Sequence, residues 1–272
     1  MTQNEPLPDK TDNTMFKKLP CIKVDGDKAT AGLHEVIEEV PMALFINGRH
    51  VMTAMMSPIM LEEFVTGYLY TEQIIKSINE IESIRIEKNR MSVITTNLFK
   101  VLGPKKTILS GCGGSTSYID TEKLPKITSG YTINTANIRT SIKAVMNSEL
   151  HMTTGGIHVV ALLDKEKLLS VSEDIGRHNA LDRVIGYGLR NRIDLRKTWV
   201  IASGRISSEM VRKCLIAGIP IIVSRGATTT LAVETAEKTG LTVVAFARSS
   251  RMVVYTHACR IAGAGTAASP AE

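Results

Sequence analysis

Aromatic residues make up only 4% of the 272 residues, with one tryptophan among them. Single-stranded nucleic acid is usually read by stacking bases on aromatic rings. That scarcity, with no basic run and no zinc-finger spacing, argues against a nucleic-acid partner. Thiols are as sparse: Cys21, Cys112, Cys214 and Cys259 are the four cysteines, and no two of them form a Cys-x-x-Cys pair. The spacing excludes an ordinary structural zinc site, and four thiols in so long a chain exclude a disulfide scaffold. No metal is expected. Cys214 lies in an apolar helical run and reads as buried, and Cys259 reads as a packing residue near His257. Long apolar runs are missing too. The stretch Cys214 to Val223 is interrupted by Gly218 and Pro220, too short to span a bilayer, and the polar first residues do not suit a signal peptide. These absences predict a cytoplasmic protein with no membrane partner.

What is present is enough apolar material for a core, 43% of the chain, and a formal net charge of +6. The charge favours an anionic partner. Because the arginines fall singly beside glycines and serines, discrete phosphate groups fit them better than a long polyanion.

The hydrophobic pattern divides the chain. Residues 1–30 read as a mobile arm and 31–133 as a smaller strand-rich subdomain. Residues 134–261 read as an α/β nucleotide-binding subdomain, and 262–272 as a flexible tail. In the first subdomain Asn47-Gly48 predicts a type I′ hairpin turn between Met42–Ile46 and His50–Met55. Ser57-Pro58 reads as the cap and first turn of a helix, and Ile81–Glu87 with Met91–Thr95 as a second hairpin. A helix is predicted from Ala136 to Leu150. Beyond Gly155-Gly156 strands and helices alternate, which predicts a parallel or mixed sheet with helices on its faces. The fold class is therefore α/β (α+β).

In such sheets ligands collect where strands end and loops enter helices. Three successive loops of that kind carry arginine beside glycine or hydroxyl residues. They are Ser203-Gly204-Arg205-Ile206-Ser207-Ser208, the run from Ser224-Arg225-Gly226 to Thr228-Thr229-Thr230, and Phe246-Ala247-Arg248-Ser249-Ser250-Arg251. Helix N-termini offer free N–H groups, and arginine offers a planar fork for phosphate oxygens. Together they predict an anionic, nucleotide-bearing ligand, with Arg205, Arg225 and Thr228 as contacts beside the third loop. Glu173-Asp174-Ile175-Gly176-Arg177-His178-Asn179-Ala180-Leu181-Asp182 is the densest polar cluster. It reads as helix caps and salt bridges facing the same pocket, with Arg177 and His178 as further ligand contacts.

Cys112 stands apart, in Ser110-Gly111-Cys112-Gly113-Gly114-Ser115-Thr116, too glycine-rich for a helix or strand interior. Backbone N–H groups can turn toward its sulfur there, and Lys105 and Lys106 lie just upstream. The setting favours thiolate and suits a nucleophile or sulfur carrier. The plain alternative is a small residue in a tight turn.

Taken together, these segments resemble the FdhD/NarQ family of sulfur-carrier accessory proteins of formate dehydrogenase. The resemblance runs from about Pro41 to Arg260. It rests on Leu61-Glu62-Glu63-Phe64 with Gly67, the Gly-Cys-Gly loop, the Glu173–Asp182 cluster, Ser208-Glu209-Met210-Val211, the run Ala227 to Glu234, and Val254-Tyr255-Thr256-His257. It implies a persulfide on Cys112 accepted from a cysteine desulfurase. It also implies transfer of that sulfur to a molybdenum or tungsten bis-guanine-dinucleotide cofactor needed by formate dehydrogenase, a sulfurtransferase activity. The cofactor-binding segment falls on Phe246, Ala247, Arg248, Ser249, Ser250 and Arg251, with GDP or GMP as a partial mimic. A cytidine-deaminase-like three-layer fold without its zinc site and a homodimer are implied as well. Many members carry a second cysteine where this chain has Ser115. The alternative function is a non-catalytic chaperone that binds the cofactor without a reactive thiol.

Overall fold

The computed structural model describes residues 15–97, 106–108 and 121–264. From Phe16 onward the first described element corrects the arm expected over residues 1–30, of which 1–14 lie outside the described residues. Strands β1 (Phe16–Asp25) and β2 (Lys28–Ile37) form a ten-pair antiparallel ribbon without a register break.

The Asn47-Gly48 hairpin forms as expected. β3 (Val40–Ile46) and β4 (Arg49–Met56) are joined by two residues at φ 49° and 79°, the left-handed conformation a type I′ turn requires. The helix that follows, α1 (Leu61–Thr71), starts later than Ser57-Pro58 suggests and has no side-chain cap. Ser57 is engaged elsewhere: its N–H donates to Asp174 Oδ2 at 2.9 Å and its carbonyl accepts from Arg183 at 2.6 Å. Tertiary bonds have overridden a local capping signal. β5 (Ile81–Glu87), β6 (Arg90–Thr95) and β7 (Lys106–Ile108) complete a five-stranded sheet in the order β5-β6-β3-β4-β7. Its buried face, with Met42, Leu44, Met52 and Met91, packs on Phe64, Val65 and Leu69 of α1.

β8 (Ile133–Asn134) crosses the proposed boundary at residue 133. The single helix expected from Ala136 to Leu150 is two, α2 (Thr135–Val145) and α3 (Glu149–Thr154). Asn134 caps α2 by accepting from the Asn137 N–H at 2.7 Å. Between the helices the Ser148 hydroxyl donates to the Glu173 carboxylate. Then come β9 (His158–Asp164), β10 (Lys167–Asp174), α4 (Arg177–Arg190), β11 (Trp199–Ala202), α5 (Ser208–Ala217), β12 (Ile221–Ser224), α6 (Thr230–Thr239), β13 (Thr242–Ala245), β14 (Val253–Val254) and β15 (Ile261–Ala262). The six-stranded sheet runs β10-β9-β11-β12-β13-β14. Its β11, β12 and β13 are mutually parallel, and the flanking pairs are antiparallel.

Both faces of this sheet are covered. Val160, Leu162, Val200, Ile222 and Val243 pack beneath α4, α5 and α6. On the other face Val159, Ala161, Trp199, Ile201 and Val223 meet Ile138, Ile142 and Val145 of α2. Each valine, leucine or isoleucine among them, fully withdrawn from water, contributes about 1.5–3 kcal/mol. Among the described residues no helix is long and apolar enough to cross a membrane.

The two halves join where α1 crosses α4, and glycine makes the crossing possible. A Cβ on Gly67 would lie 1.8 Å from the Asp182 carbonyl oxygen, and one on Gly186 would lie 1.9 Å from that of Glu63. Neither position admits a side chain unless the helices separate. Next to the crossing, buried Lys213 of α5 donates to both Asp182 oxygens at 2.8 and 2.9 Å and to Thr71 at 3.0 Å. Burial alone would lower the Lys213 pKa, but the carboxylates of Asp182 and Glu72 outweigh it and hold the ammonium above its ordinary value.

Candidate functional site at the carboxyl ends of the parallel strands

The three arginine loops leave the adjacent parallel strands β11, β12 and β13 at the same edge, as strand order and direction require. They are bonded to one another. Ile206 N–H donates to Ala227 O at 2.9 Å, Phe246 N–H to Gly226 O at 2.9 Å, and Ala247 N–H to Ser224 O at 3.0 Å. Ser224 Oγ donates to Gly204 O and accepts the Gly226 N–H at 2.8 Å. The packing is backbone on backbone: a Cβ on Gly226 would meet the Arg205 nitrogen and the Gly204 carbonyl carbon at 3.1 Å. Small residues here let the loops stack and turn their arginines outward.

Arg205, Arg225 and Arg251 are exposed and Arg248 is half-buried. Arg248 Nη1 donates to the carbonyls of Arg225 and Ala247, and its own N–H donates to Arg251 O at 2.7 Å. Among the described residues none of these four arginines forms an ion pair with a carboxylate. Burial, followed by the neighbouring guanidinium groups of Arg225 and Arg251, pushes Arg248 below the ordinary arginine value. Crowded cations without a counter-charge favour an anion among them. Beside them Phe246 is 41% exposed and has φ 50°, a left-handed conformation that is uncommon for a bulky residue. Ser249 and Ser250 are exposed. Thr228 Oγ1 reaches Ile206 O at 3.4 Å. Ala247 is fully buried in the core on the α2 side and anchors the loop.

Arg177 and His178 open α4 beside the first loop. A Cβ on Gly204 would meet His158 Nδ1 at 2.9 Å and Arg177 Cδ at 3.2 Å. His178 Nε2 lies 3.3 Å from Ser207 Oγ and 3.6 Å from a Glu209 carboxylate oxygen. Burial first, then the charges of Arg177, Lys213, His158 and Arg212, push His178 down to about 3. A base whose folded pKa lies below the unfolded value refuses a proton that the unfolded chain accepts. Stability therefore falls as pH drops from about 6.5 toward about 3, with a limiting slope of about 1.4 kcal/mol per pH unit. His178→Gln should flatten that acid limb in urea titrations, and an unchanged limb would remove His178 as its source.

The polar cluster from Glu173 to Asp182 is mainly a clamp. The Asp174 carboxylate accepts from Gly176 N–H at 2.7 Å, Asn179 Nδ2 at 2.8 Å, Ser57 N–H at 2.9 Å and Arg183 Nη2 at 2.8 Å. Asn179 also donates to Met55 O at 3.1 Å. Burial pushes the Asp174 carboxyl up and the Arg183 guanidinium down, while their contact pulls each back. Arg183 was not singled out from the sequence. Its spacing of one turn from Asn179 on α4 is the signal that it shares a helix face with the cluster.

Cys112 lies outside the described residues. The nearest described residue before it, Ile108, ends β7, whose Ile108 pairs in parallel with Ala54 of β4. β4 then runs on to Ser57 and the Asp174 clamp.

Comparison with known proteins gives this architecture a family. The FdhD/NarQ family matches residues 37–262, and the chain belongs to it. The sulfur carrier protein FdhD of Wolinella succinogenes is 36% identical over 260 residues, covering 90% of each chain. That of Geobacillus kaustophilus is 32% identical over 254 residues, covering 90% of this chain and 97% of the other. A crystal structure of a protein assigned as a formate dehydrogenase accessory protein, from Desulfotalea psychrophila, superposes with a TM-score of 0.78. It is 28% identical and covers 91% of this chain and 100% of that one.

Proposed function

We propose that this protein is a sulfur carrier serving formate dehydrogenase maturation. Cys112 takes up sulfur from a cysteine desulfurase as a persulfide. The acceptor is a molybdenum or tungsten bis-guanine-dinucleotide cofactor, bound as substrate at the arginine loops. Family membership supports the carrier role. The observation that carries the acceptor assignment is the cluster of Arg225, Arg248 and Arg251 without a carboxylate, beside the exposed ring of Phe246. The cations suit a pyrophosphate and the ring suits a guanine face. Arg205, Thr228, Ser249 and Ser250 offer further donors, and Arg177 with His178 lines the way from the Asp174 clamp. In the transfer the outer sulfur leaves Cys112 Sγ for the metal, and Cys112 departs as thiolate. The two electrons that take the sulfane atom to sulfide come from the acceptor centre or an added thiol. A homodimer in the cytoplasm completes the proposal.

Incubation with a cysteine desulfurase and cysteine should add sulfur to the intact mass, removable by a reductant. A chain that binds the cofactor but gains no sulfur is the chaperone instead. For the nucleotide half, Arg248→Ala and Arg251→Ala should each weaken GDP binding by about 1–3 kcal/mol in calorimetry, the cost of a lost hydrogen-bonding partner. Arg251 is exposed and Arg248 is half-buried in a loop outside the core, so the variants should keep their fold. Unchanged GDP affinity in both would move the nucleotide site elsewhere.

A further inference from the structure

The β1–β2 ribbon has two unlike faces. Side chains alternate along a strand, and directly paired residues share a face. The unbroken register therefore puts Pro20, Ile22 and Val24 with Leu33, Ala31 and Ala29 on one side. The other side carries Cys21, Lys23 and Asp25 with Gly32, Thr30 and Lys28. On the apolar side Ile22 is 71% exposed, Val24 69% and Leu33 57%. A two-stranded ribbon is marginal in water, and the outer half of this face, beyond the Lys18–Glu35 pair, carries no charge and is of the kind that another element normally covers.

That face continues into a cavity of about 630 Å³ at the ribbon's base. Phe16 and Glu35 line the cavity, and by the same register both lie on the apolar face. Its other walls come from the end of α2, from α3 and from β10, including Glu149, Leu150, Val171 and Glu173. Of the twelve described lining residues three are glutamates and none is lysine, arginine or histidine, in a chain of net charge +6. Positive charge comes close at two places: Lys18 on the ribbon approaches Glu35 at 3.6 Å and is itself 63% exposed, and Lys143 lies in the last turn of α2 beside Ala144. The last turn of α2 also borders the cavity, so the negative end of its dipole adds to the field.

We infer that this surface docks an amphipathic helix of a partner protein. The helix lays an aliphatic stripe on the ribbon and puts a lysine or arginine cluster at one end into the glutamate-lined cavity. Five residues of strand span about 16 Å, the length of about three helical turns.

Two fluorescein-labelled peptides of about eighteen residues serve as probes. They share one leucine stripe and differ in ending with lysines or with glutamates. By fluorescence anisotropy on the full chain, the lysine peptide should bind roughly tenfold or more tighter than the glutamate peptide. The double variant Ile22→Asp, Val24→Asp should lose both peptides. Glu35→Gln with Glu149→Gln should remove the preference for lysine and leave stripe binding in place. Circular dichroism checks that both variants fold. Equal affinity of the native chain for the two peptides overturns the inference, as does an unaffected ribbon variant. A native dimer that the ribbon variant converts to monomer in light scattering would assign the face to a second copy and overturn it too.

Discussion

Formate dehydrogenase matured with the Cys112→Ser chain should stay inactive, and that chain should gain no sulfur from a cysteine desulfurase. A serine hydroxyl is neither nucleophilic enough to take sulfur nor able to hold it as a persulfide. The other thiols are poor substitutes for different reasons. Cys214 is fully buried in the core under α5, and burial pushes its thiol up to about 12. Cys21 is half-buried on the ribbon's polar face, and Cys259 is exposed with its sulfur 3.8 Å from His257 O. Neither lies in a glycine-rich stretch of sequence, as Cys112 does. Cys21→Ser and Cys259→Ser should therefore load and activate like the native chain. Sulfur found on Cys21 or Cys259 in the Cys112→Ser protein would sink the assignment. Ser115 sharpens the test. If one thiol suffices, Ser115→Ala should be nearly silent, and Ser115→Cys should give no gain, since a second thiol can trap the pair as a disulfide. A large gain from Ser115→Cys at equal stability would mark the native chain as a weakened carrier and favour the chaperone.

Much of the C-terminal half was legible because its signals are local. Strands and helices alternate beyond Gly155-Gly156 as expected, and the ends of α5 and α6 carry their own local signals: Ser207 and Thr229 accept from the Met210 and Ala232 N–H groups, and Gly218 and Gly240 close the helices in the left-handed conformation. The three arginine loops follow from strand order, because parallel neighbours must release their loops on one edge. What the sequence hides is tertiary. Ser57-Pro58 looks like a helix cap, yet its backbone is bonded to Asp174 and Arg183, over a hundred residues away. Nothing local says that Gly67 and Gly186 meet each other's helix. The ribbon was missed because it turns at Gly26-Asp27 but has no core beneath its outer half. Its apolar residues, Ile22, Val24 and Leu33 among them, are exposed rather than packed, so the start of the chain reads as an arm.

Replacing Arg183 with methionine should cost about 3–5 kcal/mol of stability, the usual penalty for breaking a buried ion pair from one side. Arg183 and Asp174 are both 0% exposed in the side chain. Without the guanidinium, Asp174 keeps Gly176, Asn179 and Ser57 as donors but has no counter-charge. The carbonyls of Glu173 and Ser57 each lose a donor at the same time. Adding Asp174→Asn should recover part of the loss, because an amide is cheaper to bury alone than a carboxylate. Urea unfolding of the single and double variants measures both, and a single variant within about 1 kcal/mol of native would show that the pair is not what holds the clamp. The same experiment assigns the Glu173–Asp182 cluster. If it is a structural tie between the β4–α1 turn and α4, GDP affinity per folded molecule should be unchanged in Arg183→Met. A loss of GDP binding by the folded fraction would instead carry the ligand site inward from Arg225, Arg248 and Arg251 to the start of α4.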